Sequence, residues 1–297
     1  YRRMRSFLFN KVRPRLGLLY QYSPRKMRSI SPNSSASTSE FPKIAIVTPS
    51  FQHGAYIADT IESVLSQQYP NLFYHVQDGG SSDETLSILS RYDGRLTFVS
   101  EKDDGQSDAI NRGFASTDGE VMAYLNSDDL LLPGSLQTVG SFFAQNPHVD
   151  VVYGDRIVIN ERGEEIGVWR LPPHSNDVLS WADYVPQETL FWRRSAWQRA
   201  GGYIDTSFRF AMDWDLLVRM RDSGARFAHI PRFLGAFRVH STQKTSALLS
   251  TIGHDEMQRI RTRTVGYTPD HRQIKEGIRM YMYAHLFRDL RYRMFEP

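Results

Sequence analysis

Two acidic clusters carry the chemistry available to this sequence. The first, Asn126-Ser127-Asp128-Asp129, follows directly on Val121 to Leu125, an apolar run that reads as a buried strand of a parallel sheet. Adjacent carboxylates at the carboxyl end of such a strand are costly unless a positive charge shares the site. Strand carboxyl ends are also where open α/β sheets bind ligands. A hard cation, Mg2+ or Mn2+, held by a carboxylate while a substrate diphosphate completes its shell, meets both conditions. Capping of the helix announced by Pro133-Gly134-Ser135 is the plainer use of Asp128 or Asp129. The second cluster, Asp213 and Asp215, opens a helix whose apolar stripe is Leu216, Leu217 and Met220. Backbone amides and the macrodipole favour a carboxylate there, so an N-cap role for Asp213 is the competing reading.

Three polar loops accompany these clusters. Thr48-Pro49-Ser50-Phe51-Gln52-His53-Gly54-Ala55 leads into a helix whose N-terminal amides suit an anion. In Asp78-Gly79-Gly80-Ser81-Ser82-Asp83, paired glycines allow close backbone approach, and Asp78 is placed to accept hydrogen bonds from a base or ribose; a tight turn is the plain alternative. Asp104, Gln106, Asp108 and Asn111 offer polar groups for sugar hydroxyls, more of them than capping of one helix requires. Neither G-x-G-x-x-G nor G-x-x-x-x-G-K-S spacing occurs, which disfavours a dinucleotide fold and a phosphate-cradling NTPase loop.

The elements that must position these groups alternate. Strands are expected at Lys43 to Thr48, Phe73 to Gln77, Leu96 to Ser100 and Val121 to Leu125, with helices at Tyr56 to Gln67, Asp83 to Ser90 and Ser107 to Ala115 between them. This predicts an α/β fold, a doubly wound, mostly parallel sheet with helices on both faces. Further on, Leu136 to Asn146 reads as a helix and Val151 to Asp155 as a strand, and Asn160-Glu161-Arg162-Gly163 marks a hairpin between Arg156 to Ile159 and Glu165 to Trp169. The last fifty residues predict two amphipathic helices around Gly266 to Pro269, packed first of all against the rest of the chain.

Composition sets the outer limits. With 297 residues, 40% hydrophobic and 12% aromatic, the chain can build a sizeable core. No Cys is present, so disulfides, thiolate metal sites and a thiol nucleophile are excluded, and a reducing cytoplasm suits it. No apolar run of about 18 residues predicts a membrane span, and no secretory signal is seen. Residues 1–40 carry nine Lys or Arg against Glu40 alone, a net +8, which leaves −5 for the remainder of a chain whose total is +3. A body of negative charge is no nucleic-acid footprint. The basic arm, with Phe7, Leu8, Phe9 and Leu16, suits a peripheral contact with an anionic membrane or a solvated arm, and Ser29 to Ser39 reads as a linker. Three regions are therefore expected: a basic arm and linker at 1–40, a catalytic domain at 41–244, and C-terminal helices at 245–297. The missing initiator Met at Tyr1 points to one module of a longer polypeptide.

Ile44-Ala-Ile-Val-Thr-Pro-Ser-Phe-Gln, Asp78-Gly-Gly-Ser-Ser-Asp-Glu-Thr, Asp104-Gly-Gln-Ser-Asp-Ala-Ile-Asn-Arg-Gly and Tyr124-Leu-Asn-Ser-Asp-Asp, in this order, resemble the successive motifs of family 2 glycosyltransferases with the GT-A fold. The resemblance covers about two thirds of the chain, from Phe41 to roughly His240. It implies inverting transfer of a sugar from a UDP- or dTDP-sugar to a hydroxyl of a glycan or lipid-linked saccharide. Thr48, Pro49, Ser50, Gln52, Asp78, Gly79, Asp104, Asp108, Asn111, Asn126 and Ser127 would then hold the donor, and Asp128 with His240 the divalent metal. Asp213 matches the family's general base. Gln187, Glu188 and Trp214 are candidates for the acceptor pocket, and Arg238 and Lys244 for the phosphates.

The sequence departs from the family pattern at three places. Asn126 stands for the leading carboxylate of Asp-x-Asp, Met212 for the Glu before the base, and Ile110 for an Arg whose role would pass to Arg112 or Lys102. These departures favour, as the alternative, a non-catalytic nucleotide-sugar or glycan binding module of a larger polypeptide. A nucleotidyltransferase is a further rival, but its Gly-rich basic loop is missing from Thr48 to Ala55. A two-carboxylate glycoside hydrolase would have no use for the nucleotide-type loops.

Overall fold

The computed structural model describes residues 18–30, 41–241 and 252–295. Strand β1 (Ile44–Ser50) is buried along its whole length, and its side chains divide between two cores: Ile44 and Ile46 face one, Val47 the other. Such a strand must be covered on both sides. Helix α1 (Ile57–Leu65), strand β2 (Leu72–Asp78), helix α2 (Thr85–Leu89), strand β3 (Thr97–Ser100), helix α3 (Gln106–Ala115) and strand β4 (Val121–Tyr124) follow in the alternation expected from the sequence. Ile57, Ile61 and Val64 of α1 and Ile88 and Leu89 of α2 join the first core, and Ile110 and Phe114 of α3 the second. Gly113 lets α3 lie close on β1, since a Cβ there would stand 2.4 Å from Val47 Cγ1. Helix α2 is shorter than predicted because Asp83 stays outside it, accepting from the Gly54 and Thr85 amides at 2.8 and 3.1 Å.

The second half adds β5 (Leu130–Leu131), α4 (Ser135–Gln145), β6 (Val151–Ile159), β7 (Glu165–Trp169), α5 (Asn176–Leu179), β8 (Phe191–Arg193), α6 (Arg194–Arg199), α7 (Met212–Asp222), β9 (Phe227–Arg238), α8 (His254–Val265) and α9 (His271–Phe295). One sheet runs β3-β2-β1-β4-β8-β6-β9-β5, with β7 paired to β6 in the expected hairpin. β3, β2, β1 and β4 are parallel; β8 is antiparallel to β4 and β6, while the long β6–β9 ladder is parallel again. The register sets Ser50, Asp78 and Ser100 side by side, so the carboxyl ends of β1, β2 and β3 form one edge. β9 pairs with β5 just beyond Asp129 and ends at Arg238, which brings Arg238 and His240 back to the acidic motif.

The N-terminal arm differs from expectation. The folded part was expected near Phe41, yet Leu18 to Ile30 already packs on β7: Gln21 N donates to Ile166 O at 2.9 Å, and Arg25 and Glu165 exchange backbone hydrogen bonds at 3.1 and 2.8 Å. The anchor is Glu165, a fully buried carboxylate that accepts from Tyr22 Oη, Arg25 Nη2 and the Arg28 guanidinium. An isolated charge could not be buried there; three donors from one segment make it possible. Residues 1–17 and most of the linker lie outside the described residues, as does Lys244. At the other end α8 packs on α7, and α9 places Tyr281 in the second core and Tyr292 in a third small cluster with Ile157 and Val168. No helix among the described residues is long and apolar enough to cross a membrane.

Candidate functional site

A cleft of about 700 Å³ opens along the carboxyl ends of β1 and β4 and under the start of α7. It is lined by Pro49, Ser50, Phe51, Gly79, Lys102 and Gln106, by the acidic motif, and by Arg156, Asp183, Arg209 and Asp213. Ser50 Oγ is buried there with no hydrogen-bond partner among the described residues, an orphan group of the kind a ligand satisfies. Phe51 is 59% exposed at the mouth, a flat apolar face next to polar groups.

The acidic motif is a network. Asp128 is nearly buried; its Oδ2 lies 2.9 Å from His240 Nε2 and its carbonyl accepts from Arg238 Nε at 2.9 Å. Ser127 Oγ lies 2.6 Å from His53 Nδ1, and the His53 and His240 rings meet edge to face at 6.2 Å. Burial pushes His53 below the usual imidazole range. Asp129 points away into the protein, accepts from the Arg238 amide at 2.9 Å, and is driven well above the carboxylate range by burial, then by Asp128 and Glu188. Asn126 sits between these groups: its Oδ1 accepts from Gln106 Nε2 at 2.7 Å, while its Nδ2 donates to Gln187 Oε1 at 3.1 Å and Asp129 Oδ2 at 3.3 Å. A side-chain amide fits where a carboxylate would face two acceptors.

The cleft holds two more carboxylates, Asp183 and Asp213. Asp213 is the second residue of α7, half-buried, with Oδ1 accepting from the Trp214 amide at 2.9 Å. Asp183 keeps an exposed surface inside the cleft, yet protein closes round it, and this enclosure followed by the charge of Asp213 pushes its carboxyl well above the ordinary range. Arg156 lies between the Trp169 and Phe237 rings at 4.7 and 4.5 Å and is paired through Nε with Glu188 Oε1 at 2.7 Å. Taken together, the cleft gathers the polar groups of Ser50 and Gln106 with the carboxylates of Asp128, Asp183 and Asp213.

Residues 45–202 match the family described as Glycosyl transferase family 2, more than half of the chain. The chain belongs to that family. The chondroitin synthase of Escherichia coli is 29% identical over 217 residues, covering 72% of this chain but 31% of that protein. Among solved structures, S. aureus TarS 1-349 in complex with UDP-GlcNAc superposes with a TM-score of 0.62 at 15% identity, over 86% of this chain and 76% of that one. The mannosyltransferase PcManGT from Pyrobaculum calidifontis, in complex with GDP-Man and Mn2+, gives 0.59 at 16% identity, over 95% and 76%. These likenesses show the fold, which is the GT-A glycosyltransferase architecture.

Of the residues that the family resemblance assigned, the cleft collects Pro49, Ser50, Gly79, Asn126, Ser127, Asp128, Gln187, Glu188 and Asp213. Others take up framework positions in this glycosyltransferase. Asp78 is fully buried and accepts from Gly80 N, Ser81 N, Ser81 Oγ and Ser100 Oγ at 2.6 to 3.1 Å, so its carboxylate shapes its own loop. Thr48 Oγ1 is paired with Tyr74 Oη at 3.0 Å. Gln52, at φ +55°, laces the first two loops together through Ser81, Ser82 and Asp83. Asn111 does not face the cleft but exchanges hydrogen bonds with the Ile204 backbone at 2.7 and 2.9 Å. Asp104 is exposed on the loop before α3, its amide donating to Asp108 Oδ2, and Asp108 pairs with Arg112 at 2.7 Å; neither lines the cleft. That leaves Lys102, not Arg112, as the basic group opening into it.

Three acceptor or phosphate candidates are likewise structural. Trp214 is fully buried with Nε1 on Leu179 O at 2.8 Å, and Glu188 is the counter-ion of Arg156. Arg238 is buried and spans Asp128 O, Glu161 O and Asp59 Oδ2. Asp183, Arg156, Arg209 and Phe51 were not singled out from sequence. Asp183 follows an unpatterned Ser-Trp-Ala stretch, and Arg156 sits in a strand where an Arg reads as an exposed residue. Phe51 lies inside the Ile44 to Gln52 motif and Arg209 just ahead of Asp213, without either standing out by residue type.

Proposed function

We propose that this glycosyltransferase transfers a sugar with inversion from a nucleoside diphosphate sugar, a UDP- or dTDP-sugar, to a hydroxyl of a glycan or lipid-linked saccharide. The observation that carries it is that one cleft gathers Asp128, backed by His240 at 2.9 Å, with Asp213, an orphan Ser50 hydroxyl and exposed Phe51. Pro49, Ser50, Phe51 and Gly79 form the nucleoside side. A Cβ on Gly79 would stand 2.8 Å from Asp103 Oδ2, so glycine keeps this wall open.

Asp128 Oδ2 and His240 Nε2, 2.9 Å apart, fit a divalent ion that takes few protein ligands and completes its shell from diphosphate and water. Asn126 contributes less to such a set, because Gln106 already uses its carbonyl. A bound Mn2+ or Mg2+ would neutralise charge growing on the departing diphosphate. The nucleotide-sugar and Mn2+ in the solved relatives support the same class of donor and metal.

Asp213 takes the proton of the acceptor hydroxyl as it attacks the anomeric carbon, and its placement in the first turn of α7 brings its carboxylate to the cleft. Asp183 lies close enough to feel its charge and binds a neighbouring hydroxyl. Contact of the basic N-terminal arm with an anionic cytoplasmic membrane surface completes the reading, bringing a lipid-linked acceptor to the cleft.

The test is turnover and binding together. UDP release is measured over a panel of UDP-glucose, UDP-galactose, UDP-GlcNAc, dTDP-glucose and GDP-mannose, with and without Mn2+. Asp213→Asn should lower transfer by about 10²–10⁴-fold while leaving UDP affinity within about twofold. Collapse of UDP binding with activity would overturn the base assignment. Absence of turnover with every donor, despite Mn2+-dependent UDP binding, would instead favour the binding module, for which the engaged Asn126 carbonyl speaks.

A further inference from the structure

The segment that delivers Asp213 to the cleft is held by a side chain from beyond the family match. Arg209, Phe210 and Ala211 lead directly into α7, and their three consecutive amides converge on one carboxylate, that of Glu256 in α8. The distances are 2.8, 2.8 and 2.9 Å, and Glu256 is 9% exposed. Successive backbone N–H groups aimed at one point form an anion nest, and here the anion comes from the protein itself. Ala211 is the residue that caps α7, and it has no capping side chain of its own, so the Glu256 carboxylate stands in from another helix.

The rest of α8 reinforces this grip. Arg259 lies 3.6 Å over the Phe208 ring and donates to Ser207 Oγ at 2.7 Å, and Arg263 pairs with Asp215 at 2.7 Å. On the opposite side α3 holds the same segment, Ser107 Oγ donating to Phe208 O at 3.3 Å. The backbone from Phe208 to Ala211 is thus clamped between a helix of the donor loops and a helix of the C-terminal extension, and the first group beyond the clamp that faces the cleft with a carboxylate is Asp213.

We propose that Glu256 is a positioning residue for the transfer reaction: by fixing the amides of Arg209 to Ala211 it sets where the Asp213 carboxylate meets the acceptor hydroxyl. The proposal rests on the reading of Asp213 as the base. Glu256 itself touches neither substrate nor metal. Hydrogen bonds to a charged acceptor are about twice as strong as neutral ones, so three of them hold the segment more firmly than an uncharged cap would. Misplacement of a reacting group by about 1 Å is enough to cost on the order of 10²-fold in rate.

The experiment uses the full chain and the nucleotide-sugar of the panel above that the wild type turns over. Glu256→Gln keeps the size but turns an NH2 toward one of the three donors. It should lower kcat by about 10–100-fold with donor KM and UDP affinity within about twofold. Glu256→Asp, which keeps the charge on a shorter arm, should recover part of the loss. In the Asp213→Asn background Glu256→Gln should add little further loss, because both act through the same group. A kcat equal to wild type in folded Glu256→Gln, or an undiminished loss in the Asp213→Asn background, overturns the proposal. If Glu256→Gln does not fold, the Glu256→Asp variant carries the same kinetic comparison. Failure of the base reading looks different: it shows as an active Asp213→Asn single variant, whatever Glu256 does.

Discussion

Asn126→Asp restores the acidic residue with which the family's metal motif usually begins, and the structure predicts that it destabilises the metal-free protein. Asn126 Nδ2 donates to Gln187 Oε1 at 3.1 Å and Asp129 Oδ2 at 3.3 Å. Both partners are fixed: Gln187 Nε2 is on Tyr124 O at 2.8 Å and Asp129 Oδ1 on the Arg238 amide at 2.9 Å. An aspartate there loses two hydrogen bonds, about 1 kcal/mol each. Two carboxylates at that spacing repel by about 5 kcal/mol at an effective dielectric near 20 if both are ionised, so the pair keeps a proton at about 1.4 kcal/mol per pK unit. A net loss of about 3 kcal/mol, or roughly 6–10 °C in Tm, is expected in EDTA at pH 8. The sign with pH follows. A carboxylate pair with a raised folded-state pKa is stable while the shared proton is present and loses stability as pH rises through that pKa, so the deficit should shrink toward pH 5. Mn2+ should recover much of it by supplying the missing charge. The assay is thermal unfolding at pH 5, 6.5 and 8 with EDTA or Mn2+. A variant as stable as wild type at pH 8 in EDTA, or a deficit that grows toward acid, refutes the argument.

Asp128→Ala removes the anionic half of the Asp128–His240 pair, and calorimetric titration with UDP should show the Mn2+-dependent gain in affinity falling at least about tenfold; a titration unchanged from wild type sinks the metal role. The Glu165 clasp predicts an acid-sensitive strap. Burial alone would raise this carboxyl, but hydrogen bonds from Arg28, Tyr22 and Arg25 outweigh it and bring it to about 2, from an ordinary 4.5. Its contribution is therefore complete above the ordinary value and lost as pH falls from there to about 2, worth about 2 kcal/mol after allowing for the exposed side of Arg25. Glu165→Gln should flatten the acid limb of the stability curve and speed tryptic cleavage at Arg25 to Arg28; a limb parallel to wild type between pH 5 and 3 tells against the clasp.

The alternation of apolar runs and helical stripes from Ile44 to Tyr124 was readable because each element obeys a local rule. β1 opens with the apolar run Ile44 to Val47 since both its faces are covered, and α1 shows its stripe since only one of its faces is. The pairing of β6 with β9 was not readable: it joins residues some eighty apart, and no local periodicity marks it. The same limit applies to the site. Asp128 and Asp213 stand out by their positions at an element's end, whereas Asp183 and Arg156 acquire meaning only from what the fold brings beside them. Asn111 and Asp78 show the converse. Polar residues in a ligand-binding loop looked like ligand contacts, but their hydrogen bonds hold the loops that make the cleft. The strap of Leu18 to Ile30 was hidden by its charge, because Arg25 and Arg28 read as solvated until Glu165 is seen buried beneath them.

Two of the departures from the family pattern lie close to carboxylates from other positions in the chain. At Asn126 a carboxylate is missing where Asp129 already lies 3.3 Å away, and at Met212 one is missing where the Glu256 carboxylate holds the preceding amide of Ala211. At Asn126 a second carboxylate would have to share a proton with Asp129. The cleft carries Asp103, Asp128 and Asp213 beside Asp129 and Asp183, whose carboxyls burial pushes well above the ordinary range, and beyond the Arg156–Glu188 pair Lys102 and Arg209 face them. A nucleoside diphosphate entering such a space meets repulsion unless a cation enters with it. The proposed binding of donor and divalent ion together therefore rests on Asp128 with Asp103 and Asp213, and it does not need the leading aspartate because Asp128 and His240 remain in contact.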